Sequence, residues 1–178
     1  MSTDDNKLSA KLSADELQRR AADIRVAIFD VDGVMTDGKL YLYDHGEEIK
    51  TMHVRDGLGL KRLQAAGVAV AAISGRPSPA AAARLHDLGI DYIYLDSRDK
   101  QLDFEALLAE LELTADQAAV MGDDLPDLGL MRQARLALCV ADAVDDVIDT
   151  AHWVSRYNGG EGAVREACEL IIAARNAH

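Results

Sequence analysis

Two aspartates, Asp30 and Asp32, end the apolar run Val26–Phe29 in the stretch "RVAIFDVDGVMTDG". Carboxylates a single residue apart at a strand tip could attack phosphorus, pass a proton or hold a cation. Other polar residues recur at the ends of apolar runs: Ser74 in "ISGR", Lys100 shortly after "DYIYL", and Asp123 and Asp124 in "MGDDLPD". Carboxylates gathered in one place repel, so they need a cation among them, and an all-oxygen donor set suits Mg²⁺. The chemistry this array points to is phosphoryl transfer. Asp30 is the expected nucleophile, and Asp32 the acid that protonates the leaving oxygen and later activates water. Asp30, Asp32 and Asp123 are the expected metal residues, with Asp124 and Asp127 as supports or alternative ligands. Ser74 and the amides around Val31 and Asp32 would donate to phosphoryl oxygens, and Lys100 would add a positive charge. Each residue also has an ordinary reading: a helix cap for the aspartates, a turn for Ser74, and ion pairs with Asp96, Asp99 or Asp103 for Lys100.

The elements that must position these residues alternate along the chain. "VAIF", "VAVAAIS", "DYIYL", "AAVMG" and "RLALCV" read as buried strands, each short and continuously apolar. Helical patterns lie between them, over Asp56–Gly67, Ser78–Gly89, Lys100–Leu111 and Leu125–Ala134. A short helix "AVDDVIDTA", a small strand "HWVS" and a final helix "AVREACELIIAARN" complete the order. Ser13 with Glu16 signals a first helix. "KLYLYDHGEEIKTMHV" breaks the alternation, because two β-prone arms around "DHGE" read as a hairpin. Strand–helix alternation predicts an α/β fold: a Rossmann-like parallel sheet with helices on both faces, joined by right-handed crossovers. Ligands then bind beyond the carboxyl ends of the strands, where the array stands. Residues 1–12 are expected to be a flexible leader and 13–178 a single domain, with the hairpin at about 39–53 and a C-terminal tail at about 157–178.

The 178 residues carry 19 basic and 31 acidic side chains, for a net charge of −12. That balance disfavours phosphate backbones and anionic membranes, so neither nucleic acid nor a membrane is an expected partner. No apolar run approaches the roughly 18–20 residues of a bilayer span, and the acidic start carries no signal-peptide core, which gives a cytoplasmic expectation. Cys139 and Cys168, far apart in apolar surroundings, are expected as buried thiols.

In order and spacing, "DVDGVMTDG", "SGR", Lys100 and "GDDLPD" resemble the four motifs of the haloacid dehalogenase-like phosphohydrolases. "VRDGLG" at Val54–Gly59 and "GGEGAVRE" at Gly159–Glu166 narrow the resemblance to the phosphatases of 3-deoxy-D-manno-octulosonate 8-phosphate, over nearly the whole chain after the leader. The chain departs from that pattern at Gly129, where relatives tend to have proline. The resemblance implies a Mg²⁺-dependent phosphatase of a phosphorylated sugar acid, in lipopolysaccharide precursor synthesis. It also implies substrate contacts from Asp32, Arg55, Gly57, Gly59, Arg76, Arg84 and Lys100. It implies a capless homotetramer, with the hairpins meeting at the interface and the tail reaching a site. Arg84 could equally pair with Asp87 along its helix, and Arg165 with Glu161 or Glu169. A phosphatase for sialic or deaminated sialic acid phosphates is the alternative within enzymes, and a phospho-receiver domain the alternative outside them.

Overall fold

The computed structural model describes residues 12–177, so the expected leader lies outside the described residues apart from Leu12. Eight strands follow in order: β1 (Val26–Phe29), β2 (Tyr41–Leu42), β3 (Glu48–Ile49), β4 (Ala69–Ser74), β5 (Tyr92–Leu95), β6 (Ala118–Gly122), β7 (Leu136–Cys139) and β8 (Trp153–Val154). Seven α-helices accompany them: α1 (Ala14–Ala22), α2 (Val54–Ala65), α3 (Pro79–Asp87), α4 (Lys100–Glu110), α5 (Leu128–Met131), α6 (Asp145–Thr150) and α7 (Ala163–Asn176). Six strands form a sheet in the order β5-β4-β1-β6-β7-β8, while β2 and β3 pair only with each other. All pairings within the large sheet are parallel, so the expected α/β architecture with helices on both faces is what the chain adopts.

The sheet is buried because its strands are apolar along their whole length. Every residue of β1, β6 and β7 is buried. Such strands cannot leave a face to water, and helices cover both faces. On one side α7 packs against α1 and α2, while α5 packs against α4 and β6. Cys139 and Cys168 are both buried, as expected. Trp153 is half-buried against the core.

Three features of this architecture set the site. The chain runs outward from β1 to β4 and β5, then returns to place β6 on the other side of β1. A crevice therefore opens at the carboxyl ends of β1 and β6, where strand order reverses. Phe29 lies opposite Ala72 of β4 and Met121 of β6, so Asp30, Ser74 and Asp123 emerge at nearly one level. Immediately after β1, Val31–Met35 wind into a tight turn with Gly33 at φ 89°, a conformation that favours glycine.

The hairpin is present, closed by Tyr43 N–H donating to Glu47 O at 2.9 Å and Gly46 N–H to Tyr43 O at 2.9 Å. The helix expected over Leu125–Ala134 is shorter. Asp124 and Asp127 cap each other's backbone around Pro126 and wind Leu125–Asp127 into a 3₁₀ turn, leaving α5 only Leu128–Met131. Gly129 sits in α5, where a Cβ would meet only Gln101 Oε1 at 3.8 Å.

Candidate active site

The site is built from strand ends. Asp30 follows β1, its N–H bonded to Met121 O of β6 at 3.1 Å, and it is 8% exposed. Lys100 opens α4, whose start is fixed by Asp99 accepting from Gln101 N at 3.0 Å. That cap places the Lys100 ammonium 2.9 Å from Asp30 Oδ1 and 2.7 Å from Asp127 Oδ1. Its partners are therefore Asp30 at the end of β1 and Asp127 in the turn after β6, rather than its acidic neighbours Asp96, Asp99 and Asp103.

Asp30, Asp123 and Asp127 each offer a carboxylate oxygen within 4.8 Å of one another. The three are not equivalent. Asp127 Oδ2 accepts from the amides of Asp123 at 3.1 Å and Asp124 at 3.4 Å, while its Oδ1 takes Lys100. Its lone pairs are used in holding the loop after β6 and the lysine. The Asp123 carboxylate accepts no hydrogen bond among the described residues. Asp124 is exposed and accepts from its neighbour Leu125 N at 2.7 Å, so it serves as a cap.

The carboxylate of Asp32 lies outside that trio. It ion-pairs with Lys50 of the hairpin and accepts from Ser74 Oγ at 3.4 Å. Ser74 is itself 2% exposed. Of the four groups expected to do chemistry, Asp30 and Lys100 touch each other, and so do Asp32 and Ser74.

Electrostatics asks for a cation here. Burial, then the charge of Asp127, pushes the Asp30 carboxyl up to about 6, against the pull of Lys100. Burial, then Asp30, Asp127 and Asp124, pushes Asp123 up to about 8. Burial works against the charged form of Lys100, but Asp30 and Asp127 outweigh it, and the ammonium is held above its ordinary range. One ammonium thus ion-pairs with two of three clustered carboxylates, while Asp123 feels its charge only at a distance and has no ion-pair partner among the described residues. Three carboxylates against one ammonium leave the pocket two positive charges short. That deficit fits a hard divalent ion on oxygen donors, with Asp30 and Asp123 as candidates to hold it.

Two glycines make room for this packing. A Cβ on Gly33 would stand 2.0 Å from Asp123 Oδ2, and one on Gly122 2.4 Å from Asp127 Cβ. A third glycine comes from the tail. Gly159 lies so close to the turn after β1 that a Cβ would meet Gly33 O at 1.8 Å, and Gly160 N–H donates to Val34 O at 3.0 Å. The "GGEG" segment therefore braces the turn that carries Asp32.

The residues expected to contact substrate are spread more widely. Arg76 is exposed and pairs with Glu48 of the hairpin at 3.0 Å. Arg84 pairs with Asp87 at 2.7 Å, the helix-face alternative. Arg55 is exposed and has no carboxylate partner among the described residues. Gly57 and Gly59 are buried in helix contacts: a Cβ on Gly57 would meet Arg84 Nη2 at 2.7 Å, and one on Gly59 would meet Arg165 Cδ of α7 at 2.9 Å. Arg165 pairs with Glu169 at 2.7 Å. Sequence reasoning missed Lys50 and the bracing role of Gly159. The signal for Lys50 was a lysine at the foot of a hairpin beside a carboxylate array. Gly159 had a glycine pair ahead of the last helix.

A family model described as haloacid dehalogenase-like hydrolase matches residues 93–167. The chain is 44% identical over 163 residues to the 3-deoxy-D-manno-octulosonate 8-phosphate phosphatase of Yersinia pestis, covering 92% of this chain and 87% of that one. The fold matches the crystal structure of the Moraxella catarrhalis 3-deoxy-D-manno-octulosonate 8-phosphate phosphatase in complex with magnesium, phosphate and KDO. The TM-score is 0.90 at 35% identity, over 92% of this chain and 94% of that one. It also matches the cobalt-bound form of the Haemophilus influenzae phosphatase, with a TM-score of 0.85 at 40% identity, over 88% of this chain and 92% of that one. This chain belongs to the 3-deoxy-D-manno-octulosonate 8-phosphate phosphatase family of haloacid dehalogenase-like hydrolases, and it is a phosphoric monoester hydrolase.

Proposed function

We propose that the protein hydrolyses 3-deoxy-D-manno-octulosonate 8-phosphate to the free sugar acid and phosphate, as a Mg²⁺-dependent cytoplasmic enzyme of lipopolysaccharide precursor synthesis. The observation that carries the catalytic part is the buried Asp30 carboxylate, 2.9 Å from the Lys100 ammonium and clustered with Asp123. The substrate part is supported by the relatives' likeness over nine-tenths of the chain.

Asp30 attacks phosphorus through one carboxylate oxygen, and the bond from phosphorus to the sugar oxygen breaks. That oxygen leaves with a proton from Asp32. Water then attacks the aspartyl phosphate, gives a proton back to Asp32, and releases phosphate with the Asp30 carboxylate restored. Lys100 holds Asp30 in place and balances negative charge. Ser74 donates to Asp32 and orients it. Asp30 and Asp123 would hold Mg²⁺, with Asp127 beneath them as the support; the bound ion supplies charge compensation between a carboxylate nucleophile and a phosphate dianion.

The hairpin supports the tetramer reading. Leu40, Tyr41, Leu42, Tyr43 and Ile49 are all exposed, more apolar side chain than an isolated two-stranded ribbon normally shows to water. Leu42→Glu should shift the protein to smaller species on size-exclusion chromatography and lower turnover with it; an unchanged elution volume counts against assembly through the hairpin. The reaction itself is tested by a phosphate-release screen over sugar phosphates, with and without Mg²⁺. Preference for the eight-carbon sugar acid phosphate is expected. Equal or faster release from sialic acid 9-phosphate would replace the substrate.

A further inference from the structure

The Asp32 carboxylate is held from two sides, and one holder belongs to the hairpin. Ser74 Oγ donates to Oδ2 at 3.4 Å, and Lys50 Nζ pairs with Oδ1. Lys50 is the first residue after β3, yet its side chain is only 3% exposed, rare for a lysine. Its ammonium is also 3.2 Å from Glu48. Glu48 in turn lies 3.0 Å from Arg76, two residues past Ser74. Asp32, Lys50, Glu48 and Arg76 thus form one chain of alternating charge. It links the turn after β1, the hairpin and the loop after β4. The chain runs from the buried Lys50 out to the exposed Arg76. It contributes little to stability, because desolvation at the buried end and solvent screening at the exposed end offset most of the attraction. What it does supply is orientation: a carboxylate with both oxygens held cannot rotate freely.

We propose that Lys50 is a positioning residue for proton transfer, fixing the Asp32 carboxylate toward the oxygen that leaves phosphorus. The hairpin then belongs to the working site as well as to any assembly surface. This inference rests on the reading of Asp32 as acid and base. No step is added to the reaction; the proton still moves between Asp32 and the leaving oxygen.

Leaving groups of different basicity test it. An alkoxide leaving from a sugar needs its proton in the transition state, whereas a dinitrophenolate does not. Rates are read in the first turnover, so that they report phosphorylation of Asp30 alone. Lys50→Met should slow the sugar-acid phosphate about 100-fold, the scale of a lost general acid, with KM nearly unchanged. It should slow dinitrophenyl phosphate by less than about threefold. Lys50→Arg, which keeps the cation, should recover most of the lost rate. Circular dichroism and elution volume serve as controls, and if the methionine variant fails to fold, Lys50→Gln takes its place. An equal loss on both substrates, or no loss on the sugar phosphate, overturns the proposal. A wild type that ignores the sugar-acid phosphate but cleaves aryl and simple alkyl phosphates overturns the substrate reading alone. The Lys50 comparison then runs on the alkyl and aryl pair.

Discussion

The proposed reaction puts two demands on Asp30 that conflict in an isolated residue: it must be buried enough to exclude water and ionised enough to attack. Burial pushes its carboxyl up and Lys100 opposes that shift, so the ion pair at 2.9 Å is part of what keeps a nucleophile available. Asp30→Asn keeps the shape but removes the attacking charge. Phosphate release should fall below detection while circular dichroism stays that of the wild type; residual turnover near the wild-type rate would take Asp30 out of its role. Gly159 is the sharper test of how the site is braced. Its Cβ has no room beside Gly33 O, and Gly33 in turn lies against Asp123. Gly159→Ala should therefore displace the turn that carries Asp32. A cost of about 1–3 kcal/mol in urea melts and a turnover loss of at least tenfold are expected, and an alanine variant with wild-type kinetics would remove the brace. Asp30, Ser74, Lys100 and Asp123 were legible because each sits at a strand or helix end that the pattern marks. Lys50 and Gly159 were not, because their partners, Asp32 and Gly33, are set by three-dimensional closure.

At the scale of elements, the strands were the most legible part, since a parallel sheet covered on both faces writes itself as uninterrupted apolar runs. The wound turn Val31–Met35 leaves no periodic signal, and the helix after β6 is cut short by a side-chain cap that periodicity does not register. The "VRDGLG" segment shows the same limit. Asp56 is 3% exposed, and its Oδ1 accepts from Arg165 N at 2.8 Å in the first turn of α7. A residue of α2 thus caps another helix, whose own N-cap, Gly162, has no side chain to offer. Gly59 belongs to the same junction, as it lets α2 approach α7. Asp56→Ala should cost about 1–2 kcal/mol, the scale of a lost cap, seen as a lower urea midpoint with an unchanged slope. A midpoint equal to the wild type would mean that α7 holds its first turn without Asp56.

The whole molecule carries a charge of −12, and part of that excess is clustered at the site, so protons and a metal bound as proposed would compete for the same carboxylates. In the metal-free protein Asp30 titrates at about 6 and Asp123 at about 8, both above the ordinary value of 3.8. The sign follows from which state binds the proton. Between about pH 4 and 8 the folded chain keeps protons that the unfolded chain releases, so these two groups make folding less favourable as pH rises through that window. Replacing Asp123 with an uncharged isostere removes its share. Metal-free Asp123→Asn should therefore gain melting temperature over the wild type, and the gain should widen from pH 6 to pH 9. Bound Mg²⁺ acts in the opposite sense, because it takes the place of protons and stabilises the state that holds it. In the wild type the rise in melting temperature on adding Mg²⁺ should be small near pH 5.5 and large near pH 8.5, and in Asp123→Asn it should be weak at both. A shift that is larger at the acid end, or undiminished in the variant, would mean that the metal does not bind through Asp123 and that the strand-end acids are charged for another reason.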